Sequence, residues 1–466
     1  MAAAIAIAIS AVAILPCCFR RGMPAARLLV ATARRHPPVR QQQPPGQLGR
    51  YIDSIEEAAV ALRAGGLVAF PTETVYGLGA HAFDAEAVAS IFTVKGRPRS
   101  DPLIVHVPTP AAAEALVTLD AKGLALMRRL MASFWPGPLT LVAPACPALP
   151  SAVTAGSGFV GVRCPAHARA VELLRAAAIP VAAPSANRFG HVSPTQPEHV
   201  MDDLGASDIL VLRPAAGEPN ACCDVGIEST VLKLDVAARE LLLLRRGGVP
   251  EAELARWLAA AQTGYTLRVQ PPKHALKEPP RVKEAPPPAP GSAAAIAAAA
   301  EPAQPAEGMV APGMLLTHYA PDLPSFLVRA APGAASTAAT ASSQSFELSS
   351  AVLVDYGGRL AHLEKACVAY WDLSPSADAS EAAAAVFGAL RWAEAQAERG
   401  GRCVLLPNLL PPSEGGGGRA VQGVVQGAMA ASDEVEPAVA DRLFRAASGR
   451  EAWLTADERR LVVEPE

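Results

Sequence analysis

From residue 54 onward, apolar and polar positions arrive in short blocks of two kinds. Ser54 to Arg63 carries helical spacing, with Asp53 or Ser54 able to cap its start, and Gly65-Gly66 breaks it. LVAFP (67–71) is a continuous apolar run closed by proline, which predicts a buried strand. Asp84 can cap the next helix, where Val88, Ile91 and Phe92 share one face. PLIVHV (102–107) predicts a strand, and helices follow over about 110–117 and 121–133. LTLVAP, FVGVRCP and IPVAAP predict strands, with a helix near 168–177 between the last two. DILVLRP, STVLKLD and ELLLLRR complete the series. Some strands are separated by helices and others follow directly, so a mixed sheet is expected over residues 51–262.

The pattern then fails. Residues 263–311 include PPPAPGSAAAIAAAAEPAQPAEG, a proline- and alanine-rich stretch that reads as a low-complexity linker. Residues 330–347, rich in Ala, Ser and Thr, read as a second loose segment. Order resumes at AVLVDYG, a strand, followed by the helix SEAAAAVFGALRWAEAQAERG, the strand CVLLPNL and a helix over about 435–447. That alternation predicts a small, separate α/β domain over 350–450.

At 466 residues, with a net charge of −3, the chain has length for two or three domains and lacks the global basicity of a nucleic-acid coat. Its eight cysteines form no CxxC pair, so they read as reduced or incidental thiols rather than a zinc site. Residues 1–52 contain no Asp or Glu but seven Arg, the composition of an organelle transit peptide, with mitochondrion and chloroplast both open. The run MAAAIAIAISAVAILPCC also fits a signal or anchor segment, although no basic residue precedes it, and a start placed too early would leave the protein in the cytoplasm. No later stretch is apolar for long enough to span a bilayer, so no stable membrane association is expected.

The candidate chemistry sits in the turns behind strands. PTETVYGLG (71–79) packs hydroxyls and a carboxylate beside glycines that allow close backbone approach. KGRPRSDPLIVH (95–106) sets Lys95, Arg97 and Arg99 at a helix end, where they serve either the helix dipole or a phosphate grip. His106 on the next strand is open to a structural or a catalytic reading. Arg163, in a buried strand, demands a partner. PSAN offers Ser185 and Asn187 at a strand's C-terminal end, where ligands of open α/β sheets bind; HVSPT adds Ser193, GIEST adds Ser229, and LLRRGG adds Arg245. There is no Walker sequence, no GxGxxG after the first strand and no Ser-His-Asp spacing. The residues by themselves imply an anion- or nucleotide-binding cleft and go no further.

Taken in order, PTETVYGLG, KGRP, the histidine of PLIVH, WPGPLT, VRCPAH, PSAN, ESTV and the LRRGG end resemble the threonylcarbamoyl-AMP synthase (YrdC) family over roughly 55–250. PGMLLTHYAP (312–321) and the 350–450 region are similar to the linker and the small Rossmann-like C-terminal domain of that family's long form. The resemblance implies a twisted mixed sheet with a concave cleft, and a nucleotidyltransferase that joins L-threonine, bicarbonate and ATP, with Mg²⁺, into threonylcarbamoyl-adenylate. A separate tRNA transferase would consume that product. By motif position, Lys95, Arg97, Thr140, Ser185, Asn187, Ser193 and Arg245 would address ATP, and Thr74, His106, Arg163 and Ser229 would address threonine. His318 and Tyr319 would form a lid, and no covalent nucleophile is implied. The chain departs from the pattern at Asp101, where Asn is common, at the Cys222-Cys223 doublet, at Arg246 and in the long linker. A YrdC-like module that binds tRNA or double-stranded RNA without turnover is the alternative, distinguishable by a steep salt dependence.

Overall fold

The computed structural model describes residues 48–215, 223–270, 309–311, 318–329, 344–409, 436–454 and 460–463. The leader expected over 1–50 and residues 312–317 of the lid motif therefore lie almost wholly outside the described residues.

The first domain is built on one mixed sheet. Its strands are β1 (Arg50–Ile52), β2 (Val68–Phe70), β3 (Gly77–His81), β4 (Ile104–His106), β5 (Leu139–Pro144), β6 (Phe159–Arg163), β7 (Val181–Ala182), β8 (Leu210–Leu212), β9 (Thr230–Asp235), β10 (Glu240–Arg245) and β11 (Thr266–Val269). They lie in the order β1-β8-β2-β3-β7-β4-β6-β5-β9-β10-β11. β4 pairs parallel with β6 and antiparallel with β7, so the sheet is mixed, as the interleaving of helices and direct connections implies. Helices cover both faces. Ser54 caps Ile55–Arg63 by accepting from Glu57, and Asp84 caps Ala85–Lys95 by accepting from Glu86 and Ala87. Helix Ala121–Phe134 buries Leu126, Met127, Leu130 and Met131 against the main core.

The second domain is a seven-stranded sheet among the described residues, in the order β13-β18-β17-β12-β16-β14-β15. Its members are β12 (Ser325–Arg329), β13 (Gln344–Glu347), β14 (Ala351–Asp355), β15 (Ala369–Asp372), β16 (Cys403–Pro407), β17 (Glu451–Leu454) and β18 (Arg460–Val463). The inner strands run parallel, giving the Rossmann-like character, and β17–β18 and β13–β18 close one edge antiparallel.

Both expected domain boundaries shift. The first sheet runs beyond 51–262 to take in β1 and β11, so residues 266–269 are strand rather than linker. The second domain is wider than 350–450: β12 and β13 precede that span, β13 falls in the stretch read as loose, and β18 follows it. These strands are short and flanked by low-complexity sequence, so only their pairing partners stabilise them. PTETVYGLG is likewise more than a turn, because its Gly77–His81 half pairs with β2 and β7.

One apolar cluster joins the domains. Val75, Val192 and Ile227 of the first pack with Tyr319, Leu327, Val352 and Phe387. The alanine-rich helix Ala379–Ala395 can approach closely because Gly226, at φ 69°, has no side chain; a Cβ there would lie 2.4 Å from the Cα of Ala384. Among the described residues, no helix is long and apolar enough to cross a membrane.

Candidate active site

The cleft forms where strand ends converge. Helix Ala85–Lys95 stops at Gly96, which takes the left-handed conformation and returns its N–H to the carbonyls of Phe92 and Thr93. That reversal separates the two cations of KGRP. Lys95 Nζ donates to the carbonyl of Ser185 at 2.7 Å and to that of Asn187, so it braces the PSAN turn from behind. Burial, reinforced by Arg97, holds its pKa well below the ordinary lysine value. Arg97 turns into the cleft, donating to the carbonyls of Asp101 at 3.1 Å and Pro102 at 2.8 Å. It also pairs with the Asp101 carboxylate at 2.9 Å, with both side chains buried.

A second buried pair lies across β6. Arg163 meets Glu73 at 2.7 Å, donates to Thr74 Oγ1 at 2.9 Å and to the carbonyl of Gly137 at 3.2 Å. The PTET turn is set by Thr72, whose hydroxyl donates to the carbonyl of Val75 at 2.6 Å and lies 2.8 Å from that of Thr74. His106 packs edge-on to Phe70, and burial together with Arg163 depresses its pKa to about 3, so the ring is neutral.

The third set surrounds GIEST. Arg245 donates to the Ser229 carbonyl at 3.1 and 2.9 Å and to its hydroxyl at 3.2 Å, while Thr140 Oγ1 lies 2.8 Å from Ser229 Oγ. Ser193 donates to Glu228 Oε1 at 2.8 Å. Gly247 lies flat against this segment, where a Cβ would meet the Glu228 carbonyl at 2.3 Å. Asn187 Nδ2 donates to the carbonyls of Arg188 and His191, and its buried Oδ1 finds no partner among the described residues.

Thr74, Arg97, His106, Arg163, Ser185, Ser229, Arg245 and His318 line one cavity of about 50 Å³. The other residues singled out from the sequence stand just behind it: Lys95 against Ser185, Thr140 against Ser229, Ser193 against Glu228, and Tyr319 edge-on to His318 with ring centres 4.1 Å apart. Asn187 joins them through the carbonyl that receives Lys95. Of the departures, Asp101 is matched to Arg97, Arg246 turns away to Glu251 at 2.9 Å, and Cys223 is a buried thiol that donates to the Thr195 carbonyl at 3.8 Å, while Cys222 lies outside the described residues. Arg245 is therefore the inward arginine.

Three residues to which sequence reasoning gave no role belong to the site, two of them the carboxylates of the PTETVYGLG and GIEST motifs. Glu73 and Glu228 are the carboxylates paired to its arginines. Arg442, from the second domain, reaches Glu228 at 3.1 Å. The two glutamates lie inside the quoted motifs; only the demand of a buried arginine for a partner pointed to them.

A larger open groove of about 780 Å³, lined by Lys122, Arg129, Lys233 and Tyr265, gathers none of the motif residues. His191, Asp322 and Glu394 stand close enough to suggest a metal cluster. With no ion there, burial opposes and Asp203 and Glu394 outweigh it in raising the His191 pKa to about 9, so the imidazole is charged and hydrogen-bonds to both carboxylates. With Arg391 on Asp203 at 2.9 Å, the group is an ionic clasp between the domains.

Two family models match this chain. One described as "Telomere recombination" covers residues 60–247, and one described as "Threonylcarbamoyl-AMP synthase, C-terminal domain" covers 291–448. Threonylcarbamoyl-AMP synthase of Pyrococcus abyssi is 44% identical over 203 residues, which are 43% of this chain and 56% of that protein. The matched segment thus spans just over half of that relative's length. The Bacillus subtilis enzyme of the same name is 36% identical over 289 residues, 61% of this chain and 70% of that one. The crystal structure of P. abyssi Sua5 complexed with L-threonine superposes with a TM-score of 0.60 at 27% identity, covering 87% of this chain and 99% of that one. The chain belongs to the threonylcarbamoyl-AMP synthase family.

Proposed function

We propose that this chain makes L-threonylcarbamoyl-adenylate and pyrophosphate from L-threonine, bicarbonate or CO₂, and ATP. The observation that carries the reading is the lining of the cleft. Arg97, Arg163 and Arg245 converge with the hydroxyls of Thr74, Ser185 and Ser229 on one cavity. Such a set neutralises and positions anions. Burial and Arg163 hold His106 neutral, so it adds no charge to that set.

In this reading the threonine amine adds to CO₂ to give a carbamate. The carbamate oxygen then attacks the α-phosphorus of ATP and pyrophosphate leaves. Arg163 and Thr74 hold the amino-acid carboxylate; P. abyssi Sua5, crystallised with L-threonine, supports threonine as the amino acid. Arg97 and Arg245 offset charge on the phosphates, while Lys95 and Thr140 fix the turns that present Ser185 and Ser229. Mg²⁺ arrives on ATP, because the nearby carboxylates Asp101, Glu73 and Glu228 are each matched to an arginine. The product passes to a tRNA threonylcarbamoyl transferase. The acid-free residues 1–52 direct the chain to an organelle, which a fluorescent fusion of that segment tests by its location.

Duplex RNA is disfavoured as the ligand, because Arg97, Arg163 and Arg245 are under 10% exposed and backbone phosphates need surface cations. The test is pyrophosphate release by the purified chain with Mg-ATP. Release that requires both L-threonine and bicarbonate, with the adenylate identified by mass, supports the synthase. ATP binding without release rejects it.

A further inference from the structure

Arg442 lies on helix Glu436–Ala446 of the second domain and is fully buried. Its Nε and one terminal nitrogen donate to Glu228 Oε2 at 3.2 and 3.1 Å, and the other terminal nitrogen donates to the carbonyl of Arg246 at 2.8 Å. The guanidinium also stands 5.6 Å over the ring of Tyr319. Glu228 lines the cavity, and its other oxygen accepts from Ser193. Tyr319 sits at φ 63°, an uncommon conformation for a non-glycine residue, and is held there between Arg442 and Phe387, 5.1 Å between rings.

Without Arg442, the Glu228 carboxylate would be a buried negative charge beside a cavity for an anionic nucleotide. A charge in that position is costly in itself and repels phosphate. We infer that Arg442 is a positioning residue contributed by the second domain, one that neutralises Glu228 so that ATP can occupy the cleft and that seats Tyr319 over it. The second domain thereby completes the nucleotide site in the same chain. This inference rests on the function proposed above and adds a residue that the first domain's motifs do not contain.

The test uses the full chain and two readouts, threonine-dependent pyrophosphate release and Mg-ATP binding by calorimetry. Arg442→Met is expected to weaken ATP, with KM and Kd both rising at least about tenfold, while kcat at saturating ATP changes by less than about threefold. Adding Glu228→Gln removes the stranded charge, and the double variant is expected to recover Mg-ATP affinity, its Kd falling at least about fivefold below that of Arg442→Met. A purely structural role for Arg442 predicts a lower Tm with the Mg-ATP Kd of the folded protein unchanged, so an unchanged KM and Kd in Arg442→Met overturn the inference, as does a double variant that binds ATP as weakly as the single. If the single variant does not fold, the double variant carries the test. Neutral pairs commonly replace buried ion pairs without loss of folding, so a folded double variant that binds ATP normally supports the inference, and one that fails to fold or to bind overturns it. Absence of threonine-dependent release in the unmodified chain rejects the synthase reading instead, while the calorimetric comparison still reports on Arg442.

Discussion

Asp101→Asn isolates the electrostatics of the phosphate grip. Asp101 is fully buried and lies 2.9 Å from Arg97, so each holds the other's charge away from solvent. A phosphate oxygen docked on Arg97 would stand about 5 Å from the carboxylate, a repulsion of about 3 kcal/mol per unit charge at an effective dielectric near 20. Asparagine is nearly isosteric and removes that charge, while Arg97 keeps its bonds to the carbonyls of residues 101 and 102. Mg-ATP binding is therefore expected to tighten by roughly ten- to a hundredfold in calorimetry. The ligand-free protein is expected to lose about 1–3 kcal/mol, because Arg97 becomes a buried cation without its counter-charge. In thermal denaturation the two effects have opposite signs: a lower Tm alone and a larger upward shift with ATP. ATP affinity that is unchanged or weaker would refute the reasoning, since it would mean that the pair orients Arg97 more than it masks it.

Arg97→Ala should abolish ATP turnover and also cost about 3–5 kcal/mol of stability, because it strands Asp101; a variant with normal Tm and turnover would dismiss both roles. Arg163→Ala should raise the threonine requirement by about 2–5 kcal/mol in apparent binding, with Mg-ATP affinity little changed; the reverse pattern in steady-state kinetics would remove the carboxylate assignment. His191 ties the domains with a pKa raised to about 9, so its contribution is full below about pH 6.5 and is lost as pH rises from there through about 9. His191→Gln should flatten the stability-versus-pH curve over that window, and an unaltered curve would show that the clasp works uncharged.

Elements with strong local signals were legible from the chain: the capped helices at Ser54 and Asp84, the apolar runs of β5, β6, β9 and β10, and helix Ala379–Ala395 all fall where the pattern put them. What escaped was set by distant partners. β1 is three residues that exist through parallel pairing with β8, and β12 is a central strand lying between two low-complexity stretches. In the site, residues in dense motifs announced themselves. Arg442 did not, because an arginine on an amphipathic helix reads as a solvated face; its approach to Glu228 depends on contacts between segments distant in sequence.

The site thus keeps three of its arginines in pairs, Arg97 with Asp101, Arg163 with Glu73 and Arg442 with Glu228, while Arg245 and Lys95 rest on carbonyls. A buried arginine without a counter-charge would weaken the fold, and one with too strong a partner would refuse a substrate anion. ATP and the carbamate bring several negative charges, so they compete with these carboxylates as well as with water, and the selectivity for a multiply charged ligand follows from that competition. Space imposes a second condition. The cavity of about 50 Å³ is well below the roughly 300–1,000 Å³ typical of a bound small molecule, so under the proposed function His318, which lines it, shifts as ATP enters. Tyr319 is held by Phe387 and Arg442, both from the second domain. With Tyr319 anchored there, the movement that admits ATP under the proposed function falls to His318, and the contacts of Arg442 persist in the loaded site, as its positioning role requires.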